Sequence, residues 1–172
     1  ANSGAVTHFP DFRFDMVRAG LLLYGYFPGG LVSDELPIAP AMELAADVAL
    51  VKRVPAGASV GYGATVQLSE DRYIALLPMG YADGIPRTLK TPIEVTIAGR
   101  RYPLIGRVSM DQVAVDLGAE TTIKAGDRAI FFGANGASTA DDWAKAAGTI
   151  SYEILSRIGG RVPRLAGRIN PY

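Results

Sequence analysis

From Met42 onward the sequence is a succession of short β-type runs, each ended by glycine, proline or acidic turn residues. These runs fall at 46–54, 59–67, 72–80, 93–97, 108–117 and 128–132. Short strands at even spacing cannot bury an apolar face singly, so they pair into a closed or nearly closed β-barrel or a sandwich. The expected fold class is therefore mainly β, with two short helices near the end. Thr139 ahead of Asp141 and Asp142 supplies a side-chain acceptor and an acidic first turn for a helix that runs to about Ala147 and stops at Gly148. Ser151 is the second expected N-cap, with Gly159 and Gly160 offering the left-handed cap at the far end.

Residues 1–38 read differently. They combine a loop over 1–11, a short mixed stretch carrying Arg18, and the apolar run 21–26. The punctuation that follows (Pro28, Gly29, Gly30, Pro37, Pro40) places a domain boundary between 1–38 and 39–172. At 172 residues the chain suits one full domain plus a fragment. It opens at Ala1 in mid-pattern rather than at a methionine, so further sequence is expected upstream.

Composition narrows the function classes. Basic and acidic side chains balance at 17 each, and no stretch gathers the basic ones into a phosphate-neutralising stripe, so nucleic acid is not an expected partner. Without cysteine there is no disulfide framework, thiolate zinc site or cysteine nucleophile, which fits a cytoplasmic location. His8 is the only histidine and has no second ligand at metal spacing, so no metal is expected. Apolar runs such as 20–27 and 73–79 are far short of the roughly 20 residues that a membrane-spanning helix needs. No glycine-rich nucleotide loop or serine-hydrolase elbow is present.

Three tyrosines stand in unusual contexts. Tyr62 lies between Gly61 and Gly63 on an expected strand, where missing side chains let a ligand or another backbone approach. Two readings are open, a strand tyrosine over a bulge or an acid/base; a free phenol titrates near ~10 and is a poor base unless cations lower it. Tyr81 opens the turn Gly80-Tyr81-Ala82-Asp83-Gly84 at the end of an apolar strand, as a site-mouth aromatic or a packing residue. Tyr152 follows Ser151 in a helical first turn, where it either helps to hold an anion or packs on the barrel. The polar stretch from Arg107 through Ser109, Met110, Asp111 and Gln112 interrupts an apolar strand pattern, which marks a functional break or an edge strand.

Seven segments in register carry a further signal. These are Asn2-Ser3, Met16 to Gly20, Leu23 to Gly25, Gly61 to Thr65, Gly80 to Gly84, Gly106 to Asp111, and Ser151 to Glu153; in this order and spacing the sequence resembles the alanine racemases, pyridoxal 5'-phosphate enzymes. The resemblance implies that 1–38 is the terminal portion of a (β/α)8 cofactor-binding barrel (TIM-type) and that 39–172 is the carboxy-terminal β domain. It implies that Tyr62 is the base acting on the L-enantiomer, reaching in from the second subunit of a homodimer. It further implies that Arg18 bonds the pyridine nitrogen, that Ser3, Tyr152, Gly20 and Leu21 hold the phosphate, and that Met110 and Asp111 lie at the amino-acid substrate, with Tyr81 at the entrance. The implied activity is interconversion of L- and D-alanine by a two-base mechanism, supplying D-alanine for peptidoglycan. None of Lys52, Lys90, Lys124 or Lys145 stands in the context of the cofactor lysine, so the chain is expected to be a fragment, inactive without its amino-terminal half. A non-catalytic β-barrel binding or assembly module and a racemase of broader scope are the alternatives.

Overall fold

The computed structural model describes residues 1–30, 36–134 and 136–167; residues 31–35, part of the segment 1–38, lie outside them. Contacts divide the chain into two units, Ala1–Met42 joined by Ala166 and Gly167, and Glu43–Leu165.

In the first unit, the expected loop over 1–11 is instead a helix, α1 (Ser3–His8), followed by a single 3-10 turn. Asn2 is its N-cap, with the side chain accepting from the Ala5 amide at 2.9 Å, the oxygen that an early helical amide needs. Asn2 also bridges in parallel to Arg18. The apolar run after Gly20 is a 3-10 turn, Leu21–Tyr24, with Leu21 buried.

The second unit is mainly β. Its strands are β1 (Leu44–Asp47), β2 (Leu50–Val54), β3 (Ser59–Val60), β4 (Val66–Gln67), β5 (Arg72–Leu77), β6 (Glu94–Ile97), β7 (Arg100–Ile105), β8 (Val113–Gly118) and β9 (Arg128–Phe132). Seven of them form one sheet in the order β1-β9-β6-β7-β8-β5-β2, every neighbour antiparallel. The two end strands are consecutive halves of a single bent run. Val48 donates to Asp127 at 2.8 Å on one side of the bend, and Ala49 donates to Leu76 at 2.9 Å on the other. The sheet thus curls until its ends meet in one chain segment, which leaves no long open edge. β7 turns a second corner, since Arg100–Pro103 pair with β6 and Leu104–Ile105 with β8.

Alternation fills the interior. Along β8 the buried residues are Val113, Val115 and Leu117, and β9 adds Ala129, Phe131 and Phe132. Two helices complete this unit, α2 (Ala140–Ala147) and α3 (Ser151–Arg157). Thr139 Oγ1 accepts from the Asp142 amide at 3.1 Å, and the Asp142 carboxylate accepts from the Thr139 amide at 2.8 Å. This capping box contributes about 1 kcal/mol, and Gly148 ends the helix in the left-handed conformation as expected. α3 departs from expectation at both ends. Its N-cap is Ile150 rather than Ser151, and it leaves through Ile158 in extended conformation rather than through a left-handed glycine. No helix among the described residues is long and apolar enough to cross a membrane, and they contain no cluster of metal-ligating side chains.

Candidate functional site

The run 59–67 is not one strand. β3 and β4 form a short hairpin, and between them Tyr62–Ala64 make a 3-10 turn that carries Tyr62 at its tip, 72% exposed. The hairpin's inner face, Val60 and Leu68, packs with Val54 and Ile74 in a small apolar cluster of its own. Its position is set by glycine. Gly106, at φ +75°, lies so close that a Cβ there would stand 2.9 Å from the Val60 carbonyl oxygen, and one on Gly61 would stand 3.1 Å from the Arg107 nitrogen. Side chains there would push the two backbones apart, and both glycines stand at positive φ, which side-chain-bearing residues rarely adopt. Gly106→Ala is therefore expected to cost about 1–2 kcal/mol from the left-handed conformation alone, with the hairpin displaced as well. Chemical denaturation of this unit checks it, and an unchanged midpoint would show that the contact is dispensable.

The stretch 107–112 is likewise a turn rather than the middle of a strand, closed by the Ser109 amide donating to Gln112 at 3.0 Å. It packs against the turn that carries Tyr81. Tyr81 donates its amide to Ser109 at 3.0 Å and Ala82 donates to Met110 at 3.0 Å. A Cβ on Gly80 would lie 2.3 Å from both acceptor oxygens, so glycine is obligatory there for space. Met110 is 54% exposed, and among the described residues no hydrogen bond occupies its amide. Tyr62, Arg107, Ser109 and Gln112 line one cavity of about 340 Å³, with Lys52 in its wall.

Charged groups stitch these turns together. The buried Asp83 carboxylate accepts from the Gly80 amide at 2.9 Å. Arg161 reaches Asp83 at 3.4 Å through Nε and Asp111 at 2.8 Å through Nη2. The hydrogen bond to Asp111, then the charges of Asp83 and Asp111, hold the Arg161 proton more tightly than usual. Asp83 and Arg161 were not among the residues that the sequence singled out. An aspartate three residues after Gly80 is a local turn signal, whereas Arg161 lies 50 residues from Asp111 and has no local signal.

Tyr152 lies in the first turn of α3, 42% exposed. Next to it, hydrogen bonding from Thr149 and the Arg157 guanidinium hold the Glu153 carboxyl below its ordinary range. The far end of α3 meets the Tyr81 turn, because a Cβ on Gly84 would sit 2.6 Å from the Arg157 carbonyl oxygen. The second unit thus gathers the turns of Tyr62, Tyr81, Met110 and Asp111, and α3 supplies Tyr152.

The first unit carries the other candidates, Ser3, Arg18, Gly20 and Leu21. Ser3 is buried, while Arg18 is exposed, donates its amide to Ala1, and has no ion-pair partner among the described residues. Gly20 immediately precedes the 3-10 turn, and open space lies where its Cβ would stand.

This architecture defines the class: a mainly β, curled antiparallel domain with a few short helices. Comparison with known proteins narrows the class to a family. The sequence matches the family described as alanine racemase, C-terminal domain, over residues 41–166, and the chain belongs to that family. The alanine racemase of Chlorobaculum tepidum is 44% identical over 165 residues, covering 96% of this chain and 43% of that protein. That of Thermobifida fusca is 48% identical over 168 residues, with 96% and 44% covered. Among solved structures, alanine racemase from a D-cycloserine-producing Streptomyces lavendulae superposes with a TM-score of 0.85 at 48% identity, covering 98% of this chain and 45% of that one. The Clostridium difficile 630 alanine racemase in complex with cycloserine gives 0.86 at 39% identity, with 94% and 43% covered. The chain therefore spans less than half the length of the curated relatives it matches.

Proposed function

We propose that this chain is the carboxy-terminal portion of a pyridoxal-phosphate-dependent alanine racemase, a cytoplasmic homodimer that supplies D-alanine for peptidoglycan. The observation that carries the reading is Tyr62, a phenol held outward on a turn whose position is dictated by the contact of Gly61 with Gly106 and Arg107. A large side chain left exposed on a rigidly placed backbone suits chemistry better than packing. In this reading the segment 1–38 ends a (β/α)8 barrel and 39–172 is the β domain. The exposed Phe9, Phe12 and Phe14, in edge-to-face contact at 5.9 and 6.2 Å, are then surface that the rest of the barrel covers.

The residue types suit the cofactor in each unit taken by itself. In the first, the Ser3 hydroxyl, the Gly20 and Leu21 amides and the Arg18 guanidinium are all donors, whereas a phosphate and an unprotonated pyridine nitrogen accept; in the second, the Tyr152 hydroxyl is likewise a donor. When bound, the cofactor withdraws electrons from the substrate and makes its α-proton removable. Racemisation then needs a base on each face of the α-carbon. Tyr62 Oη takes or returns the proton on one face, and the opposite base comes from outside this chain. The free Met110 amide donates to the substrate carboxylate beside Asp111, and Tyr81 lines the entrance.

The test is reconstitution. Mixed with a polypeptide carrying the preceding half and with pyridoxal phosphate, the chain is expected to yield both the cofactor absorbance shift and L-to-D conversion of alanine. Alone it is expected to yield neither. A full-length protein that binds the cofactor and leaves alanine unracemised would reject the assignment.

A further inference from the structure

We infer that Arg161, acting with Asp83, is a positioning residue that aims the Met110 amide at the substrate carboxylate. The inference rests on the racemase reading above and adds to it the device that sets the carboxylate donor. The Ser109–Met110 peptide is planar and trans, so its C=O and N–H point in opposite directions. Its oxygen is held by the Tyr81 amide at 3.0 Å, and the next carbonyl, that of Met110, is held by the Ala82 amide at 3.0 Å. With both carbonyls turned toward the 80–84 turn, the Met110 N–H faces away from it, and no hydrogen bond among the described residues uses it. The aim of this donor thus depends on how the 80–84 and 109–112 turns sit against each other.

Two backbone hydrogen bonds between turns leave room to slide. The charged groups remove that freedom. Asp83 is fixed from below by the Gly80 amide at 2.9 Å, and its other oxygen faces Arg161 Nε at 3.4 Å. The same guanidinium reaches Asp111, next to Met110, at 2.8 Å. One planar, rigid fork therefore spans both turns, with a fixed angle between its two contacts. The Arg161 and Asp111 side chains are each 57% exposed and the Asp83 side chain is 10% exposed. The Arg161–Asp111 half of the bridge is exposed and contributes little to stability. The buried Asp83 carboxylate keeps its bond from the Gly80 amide when Arg161 is replaced, so the fold stays intact and the geometric role is exposed. The tightened hold on the Arg161 proton has the same cause as the bridge, its bond to Asp111.

A substrate carboxylate is the same before and during proton transfer at the α-carbon, so a misaimed donor weakens binding of both states and appears in KM rather than kcat. In the full-length protein, Arg161→Met is expected to raise KM for L-alanine about tenfold, the worth of one charge-assisted hydrogen bond, with kcat within about twofold. Competitive inhibition by propionate, which is alanine without its amino group, should weaken by a similar factor. Arg161→Lys, which cannot make both contacts in fixed geometry, should fall between. Cofactor absorbance and melting temperature should match the parent protein. An unchanged KM and unchanged propionate inhibition overturn the inference, and so does a fall in kcat that follows cofactor loss or a lowered melting temperature, which marks a mere structural staple. Tyr62→Phe run in parallel separates the two claims: retained turnover there sinks the racemase reading, whereas lost turnover beside unaffected Arg161 variants sinks only the positioning role.

Discussion

Tyr62→Phe in the full-length protein is expected to slow racemisation by about 10²–10⁴-fold, the usual worth of a positioned acid/base group. The ring is 72% exposed, so losing one hydroxyl should leave stability unchanged, within the roughly 0.5 kcal/mol typical of surface changes. A sharper outcome follows if, as proposed, one base stands on each face. In deuterated water, the base outside this chain still removes and returns the α-proton of D-alanine on its own side, so exchange with retention should persist. Exchange into L-alanine, which the proposed function assigns to Tyr62, should fall with the overall rate. Following the α-proton signal by NMR separates loss of one base from general damage, because damage slows both exchanges together. Conversion at the parent rate would remove Tyr62 from the chemistry.

The barrel was legible because its turns are spelled out in glycine, proline and acidic residues, and several strand positions agree closely, 128–132 among them. What was not legible has tertiary causes. β7 was missed because it begins with two exposed arginines and contains Pro103, and because its hairpin with β6 turns through Ala98 and Gly99, both at positive φ, a turn for which alanine gives no warning. The run 46–54 reads as one strand and is one bent segment, since its halves bond to opposite ends of the sheet. The runs 59–67 and 108–117 have strand composition, but the contact between Gly61 and Gly106 and the turn at 109–112 break them, and neither contact has a local signature. Both ends of α3 were misread for the same reason. The Thr149 hydroxyl bonds Glu153, Ile150 serves as N-cap without a side-chain bond, and beyond Ile158 the Gly159 amide donates to the Asp83 carbonyl of another turn. The turns carrying Tyr62, Tyr81 and Met110 were legible as segments in register, whereas the bridge through Arg161 exists only in three dimensions.

Trp143→Ala is expected to be the most destabilising single change in the β unit. Trp143 projects from α2 and is 1% exposed. Its indole Nε1 donates to the Phe131 carbonyl at 2.6 Å, and its ring lies against that of Phe131 at 6.0 Å. Truncation leaves a cavity at the junction of helix and sheet and strips a buried carbonyl of its donor. Large-to-small aromatic changes cost about 3–5 kcal/mol before that unpaired oxygen is counted, against a total stability of about 5–15 kcal/mol for a domain. The expected fall in melting temperature is about 10–20 °C. Trp143→Phe separates the two contributions, because it keeps most of the volume and loses the hydrogen bond, so it should cost about 1–3 kcal/mol. The site should suffer with the fold: α2 anchors α3, whose first turn bears Tyr152 and whose last carbonyl rests on Gly84 beneath the Tyr81 turn. Activity in the alanine variant should therefore decline at temperatures below its melting midpoint. A variant that melts within a degree or two of the parent would mean that the helices ride on the barrel without holding it, and the rim turns would then need another source of rigidity.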